Sequence, residues 1–291
     1  MAVFLALALG LLAGTTVVDQ GLVDRLEAQT RQANAAAESL REERDYLQSR
    51  VDRVDSLAAT TVPPLVEGRL EGQRFLILAD QSSKTTDQVR GTLEEAGGVL
   101  LASMSFTDRV QDDAARGELA DILGLPQNTD AAALREELAQ RLADRFLGLD
   151  VSSEDLLIQL LDAGFLEAGR GSGLNKVDGR LSGIGGRGQL LVALQGEPES
   201  TYQQLLASVF LDFASGGGDA AVVESSLATD GVVRFVRRTT APDSWVSVDN
   251  VDESIGQISL AVGLQRLLES GEGGDFGFKP GRDSLMPPLE R

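Results

Sequence analysis

Asp80 closes the apolar run Arg74-Phe-Leu-Ile-Leu-Ala79, and Gln81, Ser82 and Ser83 follow it directly. A carboxylate, an amide and two hydroxyls at the end of a buried-strand segment are the residue types that meet a ligand at the carboxyl rim of a parallel sheet. Gln195-Gly196, after the run Gln189-Leu-Leu-Val-Ala-Leu194, falls at the same rim. The pattern favours the plainer role for Asp80, an Asx turn or helix cap. Gly183-Ile-Gly-Gly-Arg-Gly188 has the composition of a phosphate cradle, but it lacks the Gly-Lys-Ser/Thr ending and does not join a first strand to its helix. A flexible surface loop fits it better.

Other chemistry is limited by what the chain contains. It has no Cys and no His, which removes Cys and Ser-His-Asp nucleophile schemes, disulfides and the two commonest metal donors. Met1, Met104 and Met286 are too scattered for a copper cluster. Glu94-Glu95, Asp112-Asp113 and Glu136-Glu137 read as solvated helix faces, and no EF-hand loop is present. No catalytic set, resident metal or cofactor is expected, and the chain is read as a non-enzyme. The formal net charge of −19 repels phosphate backbones, so nucleic acid is not an expected partner.

These residues sit in a chain of 291 residues that divides by pattern. Residues 2–18 carry no charge and no Pro, and at about 1.5 Å per residue they approach the short end of a bilayer crossing. A single-pass anchor is expected rather than a cleaved signal, with the N-terminus inside and the bulk of the chain outside the membrane. From there the segment 19–62 shows two interleaved rows spaced by seven. One is Leu26, Ala33, Leu40, Leu47 and Val54, and the other Val23, Thr30, Ala37, Arg44, Val51 and Ala58. That is the seam of a coiled-coil stalk, weakened at Thr30 and Arg44. Its partner is a second copy or another membrane protein. Pro63-Pro64 is expected to end the helix.

Residues 63–270 read as an extracytoplasmic α/β domain. Strands are expected at 74–79, 99–105, 189–194 and 220–224, with a helix from Thr86 to Ala96 completing a βαβ unit, and Trp245–Val248 reads as a short strand or extended loop. A helical insertion follows at 109–123, 131–147 and 153–168, the last opening on Ser152-Ser-Glu-Asp in capping style. Val232–Val236 reads as a short strand or extended loop, and Asp252–Ser270 as the last long helix. Residues 271–291 combine Gly, Pro and charge and are expected to be a flexible tail.

Four blocks carry a resemblance. Ala2-Val-Phe-Leu-Ala-Leu-Ala-Leu-Gly10, Phe75-Leu-Ile-Leu78, Glu95-Ala-Gly-Gly-Val-Leu100 and Val248-Asp-Asn-Val-Asp-Glu-Ser-Ile-Gly-Gln-Ile-Ser-Leu260 resemble the actinobacterial MctB family across nearly the whole chain. The pattern of the chain gives a parallel-sheet, Rossmann-like α/β domain behind a membrane anchor, and the resemblance implies two roles. One is copper transport or efflux at the envelope. The other, from SteB-like relatives, is cell separation and control of peptidoglycan hydrolysis with a membrane partner of the SteA type.

Overall fold

A computed structural model describes residues 2–150, 154–186, 188–239 and 244–289; in the first helix the side chains of residues 2–5, 7–24, 51, 52, 54, 55, 58 and 59 fall outside the description. The chain divides into two compact units, Met1–Ala58 and Ala59–Arg291.

The first unit is helical throughout its described backbone, as part of α1 (Ala2–Val66). No helix among the described residues is long and apolar enough to cross a membrane. The anchor expected over 2–18 therefore gains nothing from the structure, since its side chains, Ala6 apart, lie outside the description. Pro63 and Pro64 do not end α1. Each removes an N–H from the ladder, but the Pro63 carbonyl still accepts from Glu67 N at 2.9 Å, so one more turn closes before the chain leaves the helix.

The second unit is a doubly wound α/β domain. Its strands and helices alternate as β1 (Arg74–Ala79), α2 (Lys84–Glu95) and β2 (Val99–Phe106), then an insertion of α3 (Arg116–Leu123), α4 (Ala131–Leu147), α5 (Leu156–Asp162) and β3 (Leu166–Ala168). A small hairpin, β4 (Lys176–Val177) and β5 (Arg180–Leu181), precedes β6 (Gln189–Gln195), α6 (Gln203–Ser215), β7 (Ala220–Glu224), α7 (Val232–Val236), β8 (Trp245–Val248), α8 (Ser254–Ser270) and β9 (Gly274–Phe276). The main sheet runs β3-β2-β1-β6-β7-β8-β9, parallel except for β3. Strand order reverses between β1 and β6, the place where open α/β sheets form a crevice.

Two-residue alternation sorts the strands onto two layers. Leu76, Leu78, Leu191, Ala193 and Val222 join one core with α3 to α7, around Phe146, Phe210 and Phe213. Phe75, Ile77, Val192 and Val223 are equally buried and point the other way, to the layer of α2 and α8. With both faces covered, the strands read as continuous apolar runs, which is why their positions are legible in the sequence.

Four expectations are corrected. The insertion's first helix is shorter, α3 preceded by a 3₁₀ turn at Asp108–Gln111. Its third is α5 alone, capped by Asp155, whose carboxylate accepts from Leu157 N; Ser152 and Ser153 lie outside the described residues. Beyond Gly164 the chain turns into β3. Val232–Val236 is helix and not strand. The segment expected as a tail opens with β9, which extends the sheet beside β8, and Phe276 in it is buried.

Candidate functional site

The rim residues expected from the sequence do meet at the β1–β6 switch, but they are bound to one another. Asp80 has no exposure. Its Oδ1 accepts from Gln81 N at 2.8 Å and Gly196 N at 2.9 Å, and its Oδ2 from Glu197 N at 3.4 Å. Burial pushes the Asp80 carboxyl above the usual carboxylate range, against the hydrogen bonds from Gly196, Gln81, Ser200 and Glu197. Ser83 caps α2, its Oγ accepting from Thr86 N, while Gln81 and Ser82 face water. Gly196 packs so closely on Ser83 that a Cβ there would collide with its hydroxyl. Asp80 thus staples the loop after β1 to the loop after β6, a tie between loops that is neither the Asx turn nor the helix cap, since Ser83 caps α2.

The Gly-rich stretch is pinned rather than flexible. Arg145 of α4, 4% exposed, donates through Nε and Nη2 to both Asp155 oxygens at 2.8 and 2.7 Å, and through Nη1 and Nη2 to the carbonyls of Ile184 and Leu181. Leu181 N returns a bond to Asp155 Oδ2 at 2.8 Å. Burial alone would raise the Asp155 carboxyl, but the Arg145 and backbone bonds hold it below its ordinary range. Gly185, at φ +94°, lies against Arg145 where no side chain fits, and Gln189 clamps Gly183 and Gly185. Arg187 lies outside the described residues.

A third polar cluster, at the ends of β7 and β8, went unread in the sequence. Glu224 has no exposure; its Oε2 accepts from Val233 N and its Oε1 from Lys279 Nζ at 2.7 Å. Lys279 Nζ also donates to the carbonyls of Ser225 and Ala228. Asp249 accepts from Arg237 Nη1 and from the backbone of Phe278 and Lys279. Arg237 reaches Ser247 Oγ and the Phe276 carbonyl as well. Burial raises Glu224 above the usual range despite Lys279, and Asp275 likewise despite Ser247 and Arg237. The clue was charge without water: acids ending apolar strands, and basic residues in Val-Val-Arg-Phe-Val-Arg-Arg238 and Gly-Phe-Lys279.

Along α1, Leu26, Leu40 and Leu47 are 52%, 65% and 49% exposed, and Thr30, Ala33 and Arg44 are exposed with Ala37 half-buried. Thr30 Oγ1 donates to the Leu26 carbonyl at 2.7 Å, and Arg44 pairs with Asp45 at 2.6 Å, so both polar seam residues are satisfied within their own helix. The side chains of Val23, Val51, Val54 and Ala58 lie outside the description. No group of three or more His, Cys, Asp or Glu side chains placed to hold a metal occurs among the described residues.

Fold and site together define a doubly wound α/β domain whose sheet rim is knitted by its own carboxylates, on a chain that begins with a long helix bearing an apolar row. Comparison with known proteins narrows the class. The chain belongs to the MctB family, described as "Copper transport outer membrane protein, MctB", which matches residues 1–287. It is similar to proteins named "Copper transporter MctB" from Mycobacterium bovis and Mycobacterium tuberculosis. Each is 22% identical over a 307-residue alignment that covers 98% of this chain and 95% of the relative.

Proposed function

We propose that this protein is a non-enzymatic component of the cell envelope, anchored by residues 2–18, that pairs through α1 with a second copy and serves as a scaffold or regulator for a membrane partner of the SteA type in cell separation. The observation that carries this reading is the row Leu26, Leu40 and Leu47, each about half exposed or more on a 65-residue helix. Helices of this length with polar flanks gain their stability by burying such a stripe against another helix. The imperfect seam suits register and partner choice better than raw strength. The α/β domain supports the same reading through its rim, where Asp80, Glu224 and Asp249 each spend their oxygens on structural hydrogen bonds.

Copper handling is the second reading, favoured by the names of the mycobacterial relatives. Met104 is buried and the chain carries neither Cys nor His, so any copper it held would rest on carboxylates or on Met286 and Met1. Two measurements separate the readings. Leu40→Asp with Leu47→Asp converts a paired species to a monomer in sedimentation if the seam is the working surface, and unchanged assembly overturns that role. Calorimetric titration of the full chain with Cu(I) and Cu(II) gives no stoichiometric sub-micromolar binding on the scaffold reading; such binding favours copper handling.

A further inference from the structure

The polar cluster at β7 and β8 holds two large apolar side chains out in water. Phe278 is 50% and Leu227 67% exposed. Phe278 is fixed through its own backbone, its N–H donating to Asp249 and its carbonyl accepting from the Arg282 guanidinium. Leu227 rides on the turn at 225–228, gripped by Lys279 Nζ on one side and by Asp252 through Ser225 and Ser226 on the other. Aromatic side chains and arginine are enriched at protein interfaces relative to the rest of the surface. The stretches 231–239 and 276–282 hold five cations and no acid, in a chain of net charge −19. Asp249 and Glu224 engage Arg237 and Lys279; Arg234, Arg238 and Arg282 are at the surface, Arg234 in an exposed pair with Asp230 and Arg282 on the Phe278 carbonyl.

At the other end of the same sheet lies the complement. A groove of about 610 Å³ runs along α3 and α5, with Ile122, Ile158 and Ala163 as its apolar lining and Glu118, Glu154, Asp155 and Asp162 as its carboxylates, Asp155 being held by Arg145. Its described lining contains no cation. Glu118 and Asp162 pair with Arg109 and Lys176 from outside the lining, but both pairs are solvent-exposed and exchange at little cost. α5 packs on β3, at one edge of the sheet, while Phe278 follows β9 at the other. One copy cannot bring the two surfaces together.

The geometry points to a head-to-tail contact between copies of this chain, in which the Phe278–Leu227 knob and its arginines enter the acidic, apolar groove of the next copy. The groove is shallow and open to solvent, and its charges are opposite in sign to those around the knob. Such a contact is heterologous and does not close, so it propagates as an open row. A single knob buries less than the roughly 1,200 Å² of a permanent interface, so the contact is weak for free chains and gains from the crowding of a shared membrane. It is independent of the α1 seam.

The test uses the full chain in detergent with Leu40→Asp and Leu47→Asp in place, so that seam pairing does not contribute. Sedimentation at rising concentration and low salt is expected to give a mean mass that climbs past the dimer and falls back as salt is raised. Phe278→Asp and Ile158→Arg, each checked for an unchanged circular dichroism spectrum, are expected to stay monomeric, and Arg282→Glu to weaken association at least tenfold. Equal amounts of Phe278→Asp, whose groove is intact, and Ile158→Arg, whose knob is intact, are expected to form a dimer and nothing larger. A constant monomer mass, assembly that stops at a dimer, or a mixture that stays monomeric overturns the proposal. So does binding to phosphatidylglycerol vesicles that depends on Phe278 in a chain that does not self-associate, which assigns the knob to lipid.

Discussion

Asp80 gathers three backbone N–H groups onto a carboxylate with no exposure, so its loss leaves buried donors unpaired. Asp80→Ala is expected to cost about 1–3 kcal/mol in urea unfolding. Asp80→Asn, which keeps an acceptor, is expected to cost less. The pH dependence follows from the raised carboxyl. A folded pKa above the unfolded one means that the native state binds the proton more tightly, so this group adds stability as pH falls through its folded pKa and withholds it at neutral pH. The stability difference between wild type and Asp80→Asn should therefore move in favour of wild type on acidification, measured by Tm from pH 7 downwards. Asp155 behaves oppositely: its lowered carboxyl stabilises above the unfolded pKa, and that share is lost as pH falls through the folded value. Asp155→Ala strands the Arg145 charge in the core and is expected to cost about 3–5 kcal/mol. A loss under 1 kcal/mol would show that water reaches Arg145.

The elements divide by how much of their environment the sequence carries. β1, β6 and β7 are legible as apolar runs, because both faces of the parallel sheet are covered. α7 is not. Val-Val-Arg-Phe-Val has the β-branched composition of a strand, yet Gln195 Oε1 accepts from Val232 N and Glu224 Oε2 from Val233 N, so distant side chains supply the helix with its missing N-terminal acceptors. Gly-Asp-Phe276 is too short and too glycine-rich to announce a strand, and Lys279, set against a buried Glu224, is what locks the segment down. Lys279→Ala is expected to destabilise the domain by about 3–5 kcal/mol, because it leaves a buried carboxylate without its cation. Restoring the loss with Glu224→Gln in the same chain would confirm the pair, measured by a double-mutant cycle in urea. Asp80 was visible from its place after a strand; the Glu224, Asp249, Arg237 and Lys279 set was not, because its members lie up to 55 residues apart.

On the scale of the whole molecule, the residues that attract chemical interest in the sequence are taken up by the fold. Asp80 ties two loops, the glycines of 183–186 pack on a buried arginine, and the late acids and bases seal β9 to its neighbours. Large apolar side chains stay exposed along α1, at Leu26, Leu40 and Leu47, and in the α/β domain at Phe278 and Leu227. The chain has no cysteine, so single thiols report on the α1 row without a background. The most direct measurement is oxidative cross-linking of the full chain in membranes, comparing Leu40→Cys and Leu47→Cys in the seam with Glu42→Cys and Ser49→Cys, which a heptad places away from it. Seam pairing through a second copy predicts covalent dimers at positions 40 and 47 and monomers at 42 and 49. Equal cross-linking at all four positions, or none at 40 and 47, contradicts it.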